Sequence, residues 1–188
     1  MNKLTRDLDV LQDSSLQQNA TTSCNHCPLR PKPLFKVFSQ DTVNFMKSFK
    51  IGEMNIDAGT SLVGRGPQSP QLYTVLRGMG LRQKTLPDGR LHTVSFVLPG
   101  DFIGLQSAIM SRTPHAVAAT TDMTLCVFDS SRLGDFFQQE PERALDMTWV
   151  AASEANFQAE ALNALGPHNG AERVAWALLR LYRHLDAL

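Results

Sequence analysis

Three cysteines carry the most distinctive chemistry available to this chain. Cys24 and Cys27 form a Cys-x-x-Cys within CNHCPLRPKPL, and Cys126 stands far downstream within MTLCVF. Thiolates bind soft metals and clusters and exchange with disulfides. Pro28, Pro31 and Pro33 exclude a regular helix or central strand around the pair, so the sequence predicts a loop of fixed path there. Other reactive types are isolated. His92 lies in an alternating segment with no second histidine nearby, so no metal-binding histidine set of a catalytic barrel forms. No Gly-x-Ser-x-Gly, phosphate-binding loop or His-Glu-x-x-His occurs, and the expectation is that the chain is not an enzyme. Arg173, Arg180 and Arg183 recur at helical spacing and give one segment a basic side, either solvated or in contact with phosphates.

The composition limits what can hold these groups. The chain has 188 residues, 43% of them hydrophobic and 19% charged, enough for one packed domain with attachments. Lys plus Arg and Asp plus Glu both number 18, so the basic excess usual in a nucleic-acid binder is absent. No apolar run is long enough to span a bilayer, and the first twenty residues lack the apolar stretch of a secretion signal. An odd number of cysteines does not make a disulfide framework. The expected compartment is the cytoplasm, with no membrane partner.

Elements are readable along most of the chain. Leu4, Leu8 and Leu11 allow a short transient helix in an arm that turns polar from Asp13 to Ser23. Short alternating segments at 53–56, 61–63, 71–77, 80–85, 91–98, 116–119 and 124–128 predict a β-barrel or sandwich. Asp88-Gly89 marks a hairpin. A short helix is expected at 131–139. A long one follows at 141–165, opened by Pro141 and Glu142 and free of internal Gly or Pro. Leu145, Trp149, Ala152, Ala155, Ala159 and Leu162 step by three and four along it, a stripe suited to a second helix from another copy. Trp149 and Trp176 read as helix-face anchors. A last helix at 171–185 presents Val174, Ala177, Leu178, Leu181 and Leu185 with nothing after it to pack against.

These pieces, in this order, resemble the CRP/FNR family of bacterial transcription regulators. The resemblance runs from about Cys24 to Leu188. It is carried by Gly52-Glu53 with Ala58-Gly59-Thr60, by Leu76-Arg77-Gly78, by Leu86-Pro87-Asp88-Gly89-Arg90, by Pro99-Gly100-Asp101-Phe102-Ile103-Gly104 and by Ala171-Glu172-Arg173-Val174-Ala175. It implies a mainly β plus α fold: a cyclic-nucleotide-binding-like double-stranded β-helix, or jelly roll, then a long dimerisation helix, then the first helix of a winged helix-turn-helix truncated before its recognition helix. The implied units are an arm at 1–34, the barrel at 35–140, the dimerisation helix at 141–165 and the start of an incomplete DNA-binding domain at 166–188. The implied partners are a second copy and, for a full-length form, DNA and RNA polymerase. The runner-up readings are a partner that lacks recognition helices and silences intact relatives, and a barrel that binds some other small molecule.

Two departures from the family pattern define the site expectations. Cyclic-AMP-binding members place a Glu after the glycine of this motif and an Arg-Ser pair about ten residues later. Gly104 is instead followed by Leu105, and the later pair is His115 and Ala116. Losing a charged contact to a phosphate costs on the order of 2–5 kcal/mol, so the pocket is degenerate and cyclic AMP is not the expected effector. Arg112 is the nearest replacement cation. Oxygen-sensing members hold a [4Fe–4S] cluster with four cysteines. Cys24, Cys27 and Cys126 match three of these, and the places of the fourth fall on Phe35 or Pro33, neither of them a ligand. The three cysteines are therefore the candidate metal site, and the cofactor stays open among three readings. These are a cluster short of one thiolate, a zinc or thiol switch with His26 as a conceivable nitrogen donor, and a buried Cys126 beside an unused pair.

Overall fold

Alternation of apolar and polar residues builds two sheets in the computed structural model, which describes residues 21–33, 38–63, 71–110 and 115–187. The strands are β1 (Lys50–Ile56), β2 (Ser61–Val63), β3 (Gln71–Arg77), β4 (Gly80–Thr85), β5 (Leu91–Val97), β6 (Phe102–Ile103), β7 (Ala116–Ala119) and β8 (Met123–Asp129). One antiparallel sheet has the order β1-β8-β3-β6 and the other β2-β7-β4-β5. Of the barrel or sandwich expected, the chain forms the sandwich, two facing four-stranded sheets of a jelly roll with no closed barrel among the described residues. Gly89 supplies the predicted hairpin between β4 and β5 at φ 85°, and Leu86 donates its N–H to Arg90 O across it at 2.8 Å. Gly78, at φ 88°, turns β3 into β4 where a Cβ would collide with Asp122 O.

The helices are α1 (Gln40–Phe49), α2 (Leu105–Met110), α3 (Leu133–Gln139), α4 (Pro141–Leu165) and α5 (Gly170–Ala187). The sequence reading placed α3 and α4 but passed over α1, α2 and the two-residue β6. The signals for α1 were present. Ser39 caps it by accepting the Thr42 N–H at 3.0 Å, Asp41 sits in its first turn, and Val43 and Phe49 are its buried residues. The arm positions Leu4, Leu8 and Leu11, together with Phe35 and Arg112, lie outside the described residues.

Two cores result, one on each side of the first sheet. Between the sheets lie Tyr73, Val75, Val97, Val117, Leu125 and Val127. On the outer side Leu72, Leu76, Cys126 and Phe128 pack with Leu29 of the arm, Phe49 of α1, Phe136 of α3 and Met147 of α4. Period two along β8 makes this division, since Leu125 and Val127 face inward and Cys126 and Phe128 outward. A slip of one residue would exchange the two faces and bring Cys126 between the sheets.

Candidate functional site

The outer core holds the thiols. Ser23 caps a single 3-10 turn, Cys24–His26, which the prolines allow because it ends before them. The backbone then closes tightly, with Arg30 N–H on Cys27 O at 3.1 Å and Lys32 N–H on Leu29 O at 2.9 Å. Leu29, 4% exposed, anchors this loop in the core. Cys24, Cys27 and Cys126 all line one cavity of about 90 Å³, walled by Phe49, Leu72 and Phe128 and floored by Arg143, Asp146 and Met147 of α4. His26 is exposed and does not line it, so the nitrogen donor considered from the sequence is placed elsewhere.

Burial keeps the Cys27 and Cys126 thiols protonated when no metal is present. Burial pushes the Cys126 thiol up to about 12, against the opposing pull of Lys50. Burial also raises Cys27. Lys50 Nζ lies 2.6 Å from Glu53 Oε1 and donates to Thr22 O at 2.8 Å, tying the arm to β1 beside the cavity. Burial is the largest influence on the Lys50 ammonium and would lower it, but the hydrogen bond to Glu53 and the charges of Cys126, Glu53 and Cys24 together outweigh it, and the net shift is upward.

Asp146 is the acidic group the sequence reading missed. Its Oδ2 sits 2.6 Å from Arg143 Nη1 as an ion pair, without the alignment of a hydrogen bond. Burial raises its carboxyl above the usual range. Among the described residues, no three His, Cys, Asp or Glu side chains are arranged to hold a metal ion in this conformation. The donor types do suit a thiophilic ion, for which three sulfurs and one carboxylate make an acceptable set. They do not make the four-thiolate set of the usual [4Fe–4S] site.

The degenerate pocket is a second, smaller cavity of about 40 Å³. Gly104, Leu105 and His115 line it as expected. Ala116 does not; it is half-buried in β7 opposite Gln83. Gly104 is at φ 91°, and a Cβ there would meet Gln71 O at 2.9 Å. The reading from sequence missed both charged residues, Arg82 of β4 and Glu154 of α4. Arg82 Nη1 lies 3.0 Å from Glu154 Oε1, with side chains 5% and 17% exposed. Burial, and then the Arg82 charge, lower His115 to about 4, so it is neutral at pH 7.

The stripe on α4 faces outward. Leu145 and Leu162 are each 70% exposed and Trp149 46%, and Ala152, Ala155 and Ala159 are exposed too. The opposite side buries Ala144, Met147, Val150 and Ala164. The last helix, α5, is partly covered, contrary to expectation. The Trp176 ring lies 5.6 Å from that of Phe157, and His184 Nε2 lies 3.0 Å from Asp101 Oδ1. Val174, Leu178 and Tyr182 remain at least 60% exposed. The proposed open basic side is also corrected. Arg173 donates to Leu165 O at 2.7 Å and to His168 O at 2.9 Å, and Arg180 pairs with Glu160. His92 is an exposed strand residue opposite Lys84.

Two facing antiparallel sheets flanked by these helices, with a small pocket behind the Gly104 turn, define a cyclic nucleotide-binding domain fold, and residues 53–140 match the family of cyclic nucleotide-binding domains. The flanking elements narrow the class further, and the relatives found support a regulator of the CRP/FNR kind. It is 27% identical over 166 residues to the nitrogen fixation regulation protein FixK of Bradyrhizobium diazoefficiens, covering 88% of this chain and 68% of that one. It is 26% identical over 167 residues to the transcriptional activator protein FnrL of Cereibacter sphaeroides, covering 87% of this chain and 64% of the relative. The solved structure of FixK2 from Bradyrhizobium japonicum superposes with a TM-score of 0.61 at 27% identity, over 70% of this chain and 66% of that one. These relatives are transcription regulators and not enzymes. Among the described residues no helix is long and apolar enough to cross a membrane.

Proposed function

We propose that this chain is the sensor and dimerisation portion of a CRP/FNR-type regulator whose input is redox or oxygen chemistry at Cys24, Cys27 and Cys126, and not cyclic AMP. The observation that carries the reading is the meeting of all three thiols in one apolar cavity whose floor is the start of α4. Cys24, Cys27 and Cys126 would hold the group, with Asp146 as the oxygen donor available for the remaining position. Such a group, when bound, supplies a centre that changes state with oxidant. Binding requires the buried thiols to give up their protons. The chain's own part is to keep water out with Phe49 and Phe128, and to bring the loop, β8 and α4 to one point.

The mechanism proposed is allosteric. A change in the loop alters the seat of Arg143, Asp146 and Met147, and so the angle at which α4 leaves the sheets. The exposed stripe from Leu145 to Leu162 would pack on the same stripe of a second copy in the cytoplasm. A shift between paired α4 helices would then move two DNA-reading heads, whose spacing must match half-sites one helical turn apart. Arm, sandwich, α4 and α5 are the four working units of this scheme.

Anaerobic purification with iron, sulfide and zinc assays tests the input. A coloured protein with near-stoichiometric iron, bleached by air and lost in Cys126→Ser, is the expected result. A colourless, metal-free protein whose thiols also resist mild peroxide would overturn the reading.

A further inference from the structure

The smaller cavity poses a question of charge. Its cation is Arg82, held by Phe102 O at 2.6 Å from Nη2 and by Phe96 O at 3.4 Å from Nη1. Carbonyl groups satisfy the donors of a guanidinium but leave its charge uncompensated, and an uncompensated buried charge is costly. The compensation comes from Glu154, 3.0 Å away on α4. His115 on the far wall adds no charge at pH 7. At about 40 Å³ the cavity has room for about three waters, far too little for a nucleotide. Gln106 adds a polar atom with no partner, its buried Oε1.

We infer that Glu154 is a built-in replacement for an anionic ligand: its carboxylate fills the anion position at Arg82, closes the pocket and clamps α4 to the second sheet. The class of ligand that competes for this position is a small monoanion of the carboxylate type. A nucleotide is excluded by size, and among the described lining residues Arg82 is the one lasting cation, which suits a monoanion better than a bulky dianion. The clamp crosses from β4 to the dimerisation helix, so the two parts are joined by the chain's own side chains and need no diffusible effector. The inference concerns a stretch of α4, Val150 to Glu154, one to two turns beyond the thiol floor at Arg143 to Met147, and stands whether or not the thiols bind a metal.

Chemical rescue tests it on the full chain. Glu154→Ala leaves Arg82 unpaired and vacates the carboxylate position. Thermal unfolding is followed in formate, with chloride at matched ionic strength as the control. The variant is expected to melt below the wild type, and formate should raise its midpoint saturably. At tenfold excess over the dissociation constant the rise should be roughly 3–6 °C. The wild type should not respond beyond the chloride control, and Arg82→Met/Glu154→Ala should lose the rescue. Should Glu154→Ala fail to fold, Glu154→Gln keeps the volume and removes the charge, and a melting point lowered from wild type is expected of it. Equal melting of Glu154→Gln and wild type, or equal effects of formate and chloride on Glu154→Ala, would overturn the inference.

Discussion

The two cavities lie against the same helix and differ in nearly every physical respect. The thiol cavity is walled by aromatic and aliphatic groups, and its cysteines come from the loop and from β8. Its reactive groups are neutral because burial raises Cys27 and Cys126. The smaller cavity has largely apolar walls but holds an ion pair that is already neutralised, with Arg82 and Glu154 3.0 Å apart. An apolar site lined by three thiols suits a thiophilic ion. A site whose strong cation, among the described residues, is already paired resists an added anion. Under the proposed function the thiols take the input, and under the further inference the pocket behind Gly104 serves as a structural joint.

The largest expected effect comes from breaking that joint. Arg82→Met strands the half-buried Glu154 carboxylate and should cost about 3–5 kcal/mol in urea unfolding. A loss under about 1 kcal/mol would show that the joint carries no more than a surface pair and would erase the contrast.

The next effect is one of pH. His115 has a folded pKa of about 4, below its ordinary 6.5. Between those values the unfolded chain binds a proton that the native chain does not. Stability should therefore fall as pH drops from about 6.5 to about 4, by about 2–3 kcal/mol in all. Subtracting the profile of His115→Gln isolates this share, and a zero difference across the window would show that the pocket wall is wet.

The smallest effect is kinetic. Cys24 and Cys27 are half-buried and Cys126 is 8% exposed. Iodoacetamide should label the loop pair first and Cys126 about tenfold or more slowly. Mass spectrometry after brief labelling reads the order. Cys126 reacting first would mean that the loop swings away and that the thiol cavity does not persist in solution.

Much of this was legible in the residues, and the reason differs by element. The strands from β2 to β5 and β7 were readable because period two and the Asp88-Gly89 turn are local signals. The whole of α4 was readable because Pro141 starts it and Gly166 ends it. The open stripe of α4 was readable because Leu145, Trp149 and Leu162 recur at helical spacing. Arg82 and Glu154 were not readable as partners. They sit on different elements, and nothing local marks a charge as buried. The same holds for Asp146, which looks like a solvated helix residue until the arm folds over it. The convergence of the thiols was expected only through family resemblance, since no periodicity links Cys24 to Cys126. The open basic side failed because Arg173 and Arg180 turn toward α4, an outcome set by tertiary geometry alone.

The His184–Asp101 contact has a neighbour, and together they have a mechanical consequence. Lys32, five residues past Cys27, gives a hydrogen bond to Leu185 O at 2.9 Å across 153 positions of sequence. Beside it, His184 meets Asp101. The cysteine loop and the end of α5 therefore close the chain into a non-covalent ring. The Lys32 clasp is exposed and worth about 1 kcal/mol at most, so it opens and shuts many times for each global unfolding. A pull on α5 is felt at the loop before it is felt at the sheets, and tension applied at either side is shared by both.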